Sequence, residues 1–319
     1  MAKAVNEALI RDVIEDVLGR LGGSPEIVTA APAAKPVGNN DSCGCQTKGI
    51  SGRDFGVFKT ADEACDAAAK AFQQLRGQGV EARHRIVEIV KSLCEEKNEE
   101  WGRIELEETK IGRLDHKIEK LQIIRDVPGV EWLRPDGLSG DHGITLEEYT
   151  PFGVVGAVTP STHSIPTLAG NIVNIVAAGN TVVFNAHPAA SRCAAMAVRK
   201  FNEAIHRAIG IENIATIIEQ PTLESFGQMC ANENVRLLCV TGGPGVVDAA
   251  MKTGKRAICA GPGNPPVLVD ATADIDRAAR CVVQGAAYDN NLLCIGEKEV
   301  FVLDSVAVRS CPHWKSTPP

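Results

Sequence analysis

The sequence predicts an α/β protein: an open, mostly parallel sheet covered by helices on both faces, followed by the opening of a second α/β unit. Between Val154 and Cys259, short β-branched runs alternate with helical runs through short connections, a βαβα rhythm that parallel sheets require. The composition agrees. With 319 residues, 44% apolar and 23% charged, the chain is long enough for about two domains and has ordinary globular usage.

Residues 4–21 (AVNEALIRDVIEDVLGRL) carry Val5, Leu9, Ile10, Val13, Ile14, Val17, Leu18 and Leu21 on one stripe, which predicts an amphipathic helix ended by Gly22-Gly23. Residues 24–52 are rich in Pro, Ala, Gly, Ser and Asn and read as a linker. The apolar face of the helix then docks either on its own fold or on another protein. Compact structure starts near Phe55. Thr60 and Glu63 form a capping box before a helix with Ala64, Ala68, Ala71, Phe72 and Leu75 inward, and further helices are expected at Arg83–Cys94 and Glu99–Thr109. Then come strand Val154–Val158, helix Thr167–Ala178, strand Thr181–Phe184, helix Ala190–Ala208, strand Ile214–Ile218 and helix Leu223–Ala231. Strand Arg236–Val240, helix Val246–Lys252 and strand Ala257–Cys259 complete the first unit. A second begins near Pro266 with strand Val267–Val269, helix Ile275–Ala287, a polar turn and strand Glu299–Leu303. The last residues, 308–319 (VRSCPHWKSTPP), fit neither a capped helix nor a closing strand.

Several functions are disfavoured by composition. No run approaches the ~20 apolar residues of a membrane-spanning helix. The net charge of −7, without a long Lys/Arg run, lacks the basic footprint that nucleic acid needs. Eleven scattered cysteines, an odd number, argue for a reducing, cytosolic compartment over a disulfide framework, and the N-terminus has no secretory pattern. Cys43-Gly44-Cys45 has no second pair of ligands nearby, so no metal is expected.

Ligands of open parallel sheets sit at the carboxyl ends of the strands. Val158 runs into Thr159-Pro160-Ser161-Thr162-His163-Ser164, a hydroxyl-rich turn opening a helix, whose N–H groups are expected to face a ligand. Val240 runs into Thr241-Gly242-Gly243-Pro244-Gly245, where glycines let backbone approach a phosphate. Either turn alone is equally a tight connection; two in one sheet favour a dinucleotide, although neither matches the common nucleotide fingerprints. His163 and His187 sit at strand ends, where a plain hydrogen-bonding role and a functional one both fit. Cys294 lies in a polar connection (YDNNLLCIGE) and is a structural residue or a nucleophile. Cys65, Cys94, Cys193, Cys230, Cys239, Cys259 and Cys281 fall in apolar patterns and are expected to be inert core residues.

Taken together, TPFGVVGAVTPST (150–162), AAGNTVVFNAHP (177–188), VTGGPG (240–245), AGPGNPP (260–266) and DNNLLC (289–294) resemble the CoA-acylating branch of the aldehyde dehydrogenase superfamily, above all its microcompartment-packaged members, over residues 55–307. The resemblance implies an aldehyde dehydrogenase-like fold with a Rossmann-type sheet. Its domains would be a targeting helix (1–22), a linker (23–53), a dinucleotide-binding domain (54–265), the start of an incomplete catalytic domain (266–307) and an atypical tail (308–319).

It further implies that Cys294 attacks a short-chain aldehyde, that hydride passes to NAD, and that the thioester is transferred to coenzyme A. His163 stands where relatives have an Asn oxyanion donor. Thr159, Pro160, Ser161, Thr162, His187, Pro188, Thr241, Gly242, Gly243 and Gly245 would hold the cofactor. Ala260 occupies the position of the Glu that activates water in hydrolytic relatives, a base worth about 10²–10⁴-fold, so acyl-CoA is favoured over free acid. Asn185 and Pro188 replace the Lys and Glu that those relatives use on a ribose. The helix at 4–21 resembles segments that bind microcompartment shell or cargo proteins, which implies a cytoplasmic protein in a microcompartment lumen, and relatives lead one to expect a homo-oligomer. Two other readings are a free-acid-releasing aldehyde dehydrogenase and a non-catalytic, truncated cargo or interaction protein.

Overall fold

The computed structural model of the chain describes residues 54–307. The helix expected at 4–21, its linker and the tail at 308–319 lie outside the described residues. Strands are β1 (Val57–Phe58), β2 (Asp136–Gly140), β3 (Gly143–Glu147), β4 (Val154–Thr159), β5 (Thr181–Ala186), β6 (Ala215–Ile218), β7 (Val235–Thr241), β8 (Arg256–Ala260), β9 (Pro266–Val269) and β10 (Glu299–Val302). Helices are α1 (Ala61–Glu96), α2 (Asn98–Thr109), α3 (Leu114–Gln122), α4 (Ser164–Ala177), α5 (Ser191–Ile209), α6 (Leu223–Ala231), α7 (Pro244–Met251) and α8 (Ile275–Ala287).

β1, β6, β5, β4, β7 and β8 lie side by side in that order, and every pairing is parallel, as the βαβα rhythm predicts. β4 and β5 are buried along their whole length, which is why they read as unbroken apolar runs. After β4 the chain moves outward through β5 to β6. It then crosses back to place β7 on the other side of β4. That reversal puts the turns after β4 and after β7 on either side of one crevice, where ligands of such sheets bind. β9 and β10 form a separate parallel pair, and β2 and β3 an antiparallel hairpin exposed throughout.

Two apolar clusters hold the sheet. One gathers α4, α5 and the second half of α1, where Trp101 of α2 meets Phe201 of α5 edge-on at 5.3 Å; the other joins Ala61, Ala64, Cys65 and Ala68 of α1 to Phe226 and Met229 of α6. The capping box at Thr60 and Glu63 forms as expected. The helices expected before and after residue 80 are one element, broken at Gly79, which leaves helical geometry at φ 74°. The AAGNT motif has a structural role: buried Asn180 accepts from the N–H groups of Phe152 and Gly153 and so pins the entry to β4.

Not all the cysteines are core residues. Cys65, Cys94, Cys193 and Cys230 are buried, but Cys239 and Cys259 are half-buried and Cys281 is exposed, because α8 carries only Ile275 and Ala279 fully inward.

Candidate active site

A cleft of about 810 Å³ opens at the carboxyl ends of β4, β5, β7 and β8. Its walls include Thr159, Pro160, Ser161, Thr162 and His163 after β4, His187 and Pro188 after β5, Thr241, Gly242 and Gly243 after β7, Ala260 after β8, and Cys294. The fold thus brings together four strand ends and a cysteine from the far end of the sequence. Gly245 is placed differently. It lies in the first turn of α7 and is not part of the lining.

Among the described residues, the titratable groups lining the cleft are His163, His187, Cys294 and Lys298, with no Asp or Glu. Asn185 lines it too, but its Oδ1 accepts from Ser225 Oγ at 2.7 Å, so that end of the side chain serves the start of α6.

The N-terminus of α4 does not face the cleft as an open anion site. Glu105, 1% exposed on α2, accepts from the N–H groups of Ser164 (3.2 Å) and Ile165 (3.0 Å) and fills the helix end with a carboxylate of this chain. One turn on, Glu108 does the same for α5, accepting from Arg192 N and Cys193 N. Glu105 also pairs with buried Lys117 at 2.6 Å, and the Lys117 ammonium donates to Thr162 O at 2.9 Å. The turn that carries His163 is therefore held from beneath by a buried ion pair.

His163 stays neutral. Burial, followed by the ammonium groups of Lys120 and Lys117, pushes its pKa from 6.5 down to about 3, and its Nδ1 has no hydrogen-bond partner among the described residues. A neutral imidazole still has one N–H to donate. Folding therefore excludes a proton that the unfolded chain binds below about pH 6.5, so stability falls as pH drops from there toward 3, by at most about 1.4 kcal/mol per pH unit. Urea denaturation at pH 7 and pH 5 is expected to show that loss in the native chain, and a smaller one in His163→Asn.

Cys294 follows a turn whose shape explains the DNN motif. Asp289, Asn290 and Asn291 have φ of 49°, 58° and 57°, three successive left-handed residues, a region that Asp and Asn enter more readily than other side chains. Beyond the turn, the Lys298 ammonium donates to Leu293 O (2.9 Å) and Gly296 O (3.0 Å), bracketing Cys294 and Ile295. Gly263 backs Cys294: a Cβ there would meet Cys294 O at 2.2 Å, so only glycine allows the AGPG segment to pass so close.

Among the described cysteines, Cys294 alone lines the cleft. Burial pushes Cys65 and Cys94 up to about 12 and Cys230 to about 11, and raises Cys193 and Cys239 as well, whereas Cys294 is half-buried on the cleft wall.

Three kinds of similarity bear on this geometry. The pattern of the aldehyde dehydrogenase family matches residues 56–314. An acetaldehyde dehydrogenase (acetylating) EutE of Salmonella typhimurium is 43% identical over 256 residues, covering 80% of this chain and 54% of that protein. A propanal dehydrogenase (CoA-propanoylating) of the same organism is 38% identical, covering 80% and 55%. The structure of a propionaldehyde dehydrogenase from the Clostridium phytofermentans fucose utilisation bacterial microcompartment superposes with a TM-score of 0.78 at 42% identity, covering 82% of this chain and 60% of the other. A Rhodopseudomonas palustris propionaldehyde dehydrogenase with bound propionyl-CoA gives 0.77 at 42%, covering 82% and 59%. The chain spans about half the length of the curated relatives it matches.

Proposed function

The chain belongs to the aldehyde dehydrogenase family, and from that premise we propose that it takes part in oxidising a short-chain aldehyde to an acyl-CoA with NAD, through a thioester on Cys294. In this reading residues 54–265 are the dinucleotide-binding domain and 266–307 belong to the catalytic domain. One observation carries the preference for coenzyme A: Ala260 stands at the end of β8, on the cleft wall, and among the described residues no carboxylate that could activate water lines the cleft. A thiol ionises readily and is intrinsically nucleophilic, so it can take the acyl group without such a base.

The residues present suit a dinucleotide. Thr159 Oγ1 is buried without a partner among the described residues, and Gly243 has open space where a side chain would be, so backbone can meet a pyrophosphate there. His187 accepts the Ala189 N–H at Nδ1, which fixes Nε2 as its donor. Thr159–Thr162, His187, Pro188 and Thr241–Gly243 would hold the cofactor; Gly245 supports that wall only from within α7. NAD, when bound, supplies the hydride acceptor. The Cys294 thiolate attacks the aldehyde carbon, and the new alkoxide is met by the neutral His163 N–H and the Cys294 backbone N–H. Loss of hydride from that carbon leaves the thioester. The thiolate of coenzyme A then attacks the thioester carbonyl, and acyl transfer returns Cys294 as thiolate.

NADH formation from propionaldehyde, assayed with and without coenzyme A, tests the reading. Sustained turnover is expected only with coenzyme A, with propionyl-CoA as product. Equal rates without it, with propionate released, would overturn the acyl-CoA assignment. The cellular setting is also a proposal: the apolar stripe at 4–21, and relatives from microcompartments, support delivery to a shell or to other cargo. Undiminished co-purification with shells after deletion of residues 1–23 would refute it. No helix among the described residues is long and apolar enough to cross a membrane.

A further inference from the structure

The turn before Cys294 is tied to α3 by one carboxylate. Asp289, fully buried, accepts from the Lys120 ammonium at 2.6 Å through Oδ2 and from Arg113 N at 2.9 Å through Oδ1, while its own N–H donates to His116 Nδ1 at 2.8 Å. His116 stacks on Tyr288, the preceding residue, with centroids 4.1 Å apart. Gly112 leaves room for the carboxylate: a Cβ there would fall 2.1 Å from Asp289 Oδ1, and its φ of 85° is itself one that side chains rarely adopt. α3 and the segment before it thus form a socket for Asp289.

Lys120, 4% exposed, has a second attachment. Its ammonium also reaches Thr162 O at 3.4 Å, beside Lys117, and Thr162 precedes His163. One buried cation therefore touches both turns whose spacing the chemistry depends on, the one that presents the thiol and the one that presents the imidazole. Three left-handed residues in succession are not a conformation the chain would keep unaided, so something outside the turn must hold it. Buried ion pairs are often replaceable by apolar residues without loss of stability. This pair does, however, give the turn one orientation.

We propose that Asp289 and Lys120 are positioning residues for Cys294: their buried ion pair, shared with Thr162 O, sets the register between the nucleophile turn and the His163 turn. This rests on the reading of Cys294 as nucleophile. It assigns to the two residues no contact with substrate or cofactor.

The informative variant is Lys120→Met with Asp289→Asn in the full chain, which removes the ion pair without leaving either charge buried and alone. Its melting temperature is expected to stay near that of the native chain. Amide hydrogen exchange in peptides covering 288–296 and 160–164 is expected to rise by about tenfold, with β4 and β5 unchanged. kcat for aldehyde oxidation is expected to fall by about tenfold or more while KM for NAD holds. The single variants should lose as much kcat as the double, since they break one shared interaction. Native exchange in both turns with native kcat would overturn the proposal. So would exchange rising evenly over the whole fold, or a double variant that does not fold, because the pair would then serve folding and not register. The hydrogen-exchange result stands even if Cys294 proves not to be the nucleophile. That separate failure would show as aldehyde turnover surviving in Cys294→Ala.

Discussion

Cys294→Ala is expected to abolish aldehyde-dependent NADH formation, by roughly 10³-fold or more, with the fold unchanged. The size follows from the proposed chemistry, in which, without the thiolate, there is no covalent adduct from which hydride can leave and no thioester to pass on. The fold is expected to survive because the thiol itself contributes little. The turn is shaped by the left-handed residues 289–291, by Lys298 on the carbonyls of Leu293 and Gly296, and by the passage of Gly263 against the Cys294 carbonyl, all of which alanine preserves. Rescue by another described cysteine is not expected, since the buried thiols are held protonated and neither half-buried Cys239 and Cys259 nor exposed Cys281 lines the cleft. Steady-state NADH kinetics beside a far-ultraviolet spectrum give the comparison. A variant that folds and turns over at a tenth of the native rate would mean that Cys294 is not the nucleophile.

The largest stability loss is expected at Glu105. Its carboxylate, 1% exposed, takes the Lys117 ammonium and the first two N–H groups of α4, and Lys117 is 0% exposed. Glu105→Ala leaves a buried ammonium without a counterion, a change that typically costs about 3–5 kcal/mol. The helix start also loses its acceptor, worth about 1 kcal/mol. At about 2–4 °C per kcal/mol, the combined loss should lower the melting temperature by roughly 8–24 °C. Glu105→Leu combined with Lys117→Met removes both charges and should recover more than half of that loss, since apolar pairs can replace buried ions. A Glu105→Ala variant that melts with the native chain would contradict the capping geometry. Activity is a second readout of the same change, because Lys117 carries Thr162 O and hence the His163 turn.

How much of this was legible in the sequence depended on how local the cause was. β4, β5 and the helices α4 and α5 that follow them were readable because a strand buried on both faces must be apolar throughout, and a helix packed on a sheet shows its 3.6-residue stripe. The exposed hairpin β2–β3 left no such imprint, and a single Gly79 concealed that two helical patterns are one broken element. At the site, the turns after β4 and β7 and Cys294 carried visible chemistry. Their supports did not. Lys117 and Lys120 lie three residues apart on a nine-residue helix and look like a solvated face, yet Lys120 pairs with Asp289, 169 residues away. Likewise nothing local tells that Glu105 turns inward to cap a helix 59 residues later, and so the ligand-facing helix end read from the sequence is occupied by the protein itself. The DNN turn was the one accessible clue, since consecutive Asp and Asn residues mark left-handed backbone.

The central claim is that Cys294 carries an acyl group which water removes slowly and coenzyme A removes fast. Incubation with propionaldehyde and NAD in the absence of coenzyme A, followed by proteolysis and peptide mass spectrometry, tests it most directly. The account predicts a propionyl group on the Cys294 peptide and on no other cysteine, lost when coenzyme A is added. An unmodified Cys294 peptide in a reaction that has formed NADH and free propionate would contradict it.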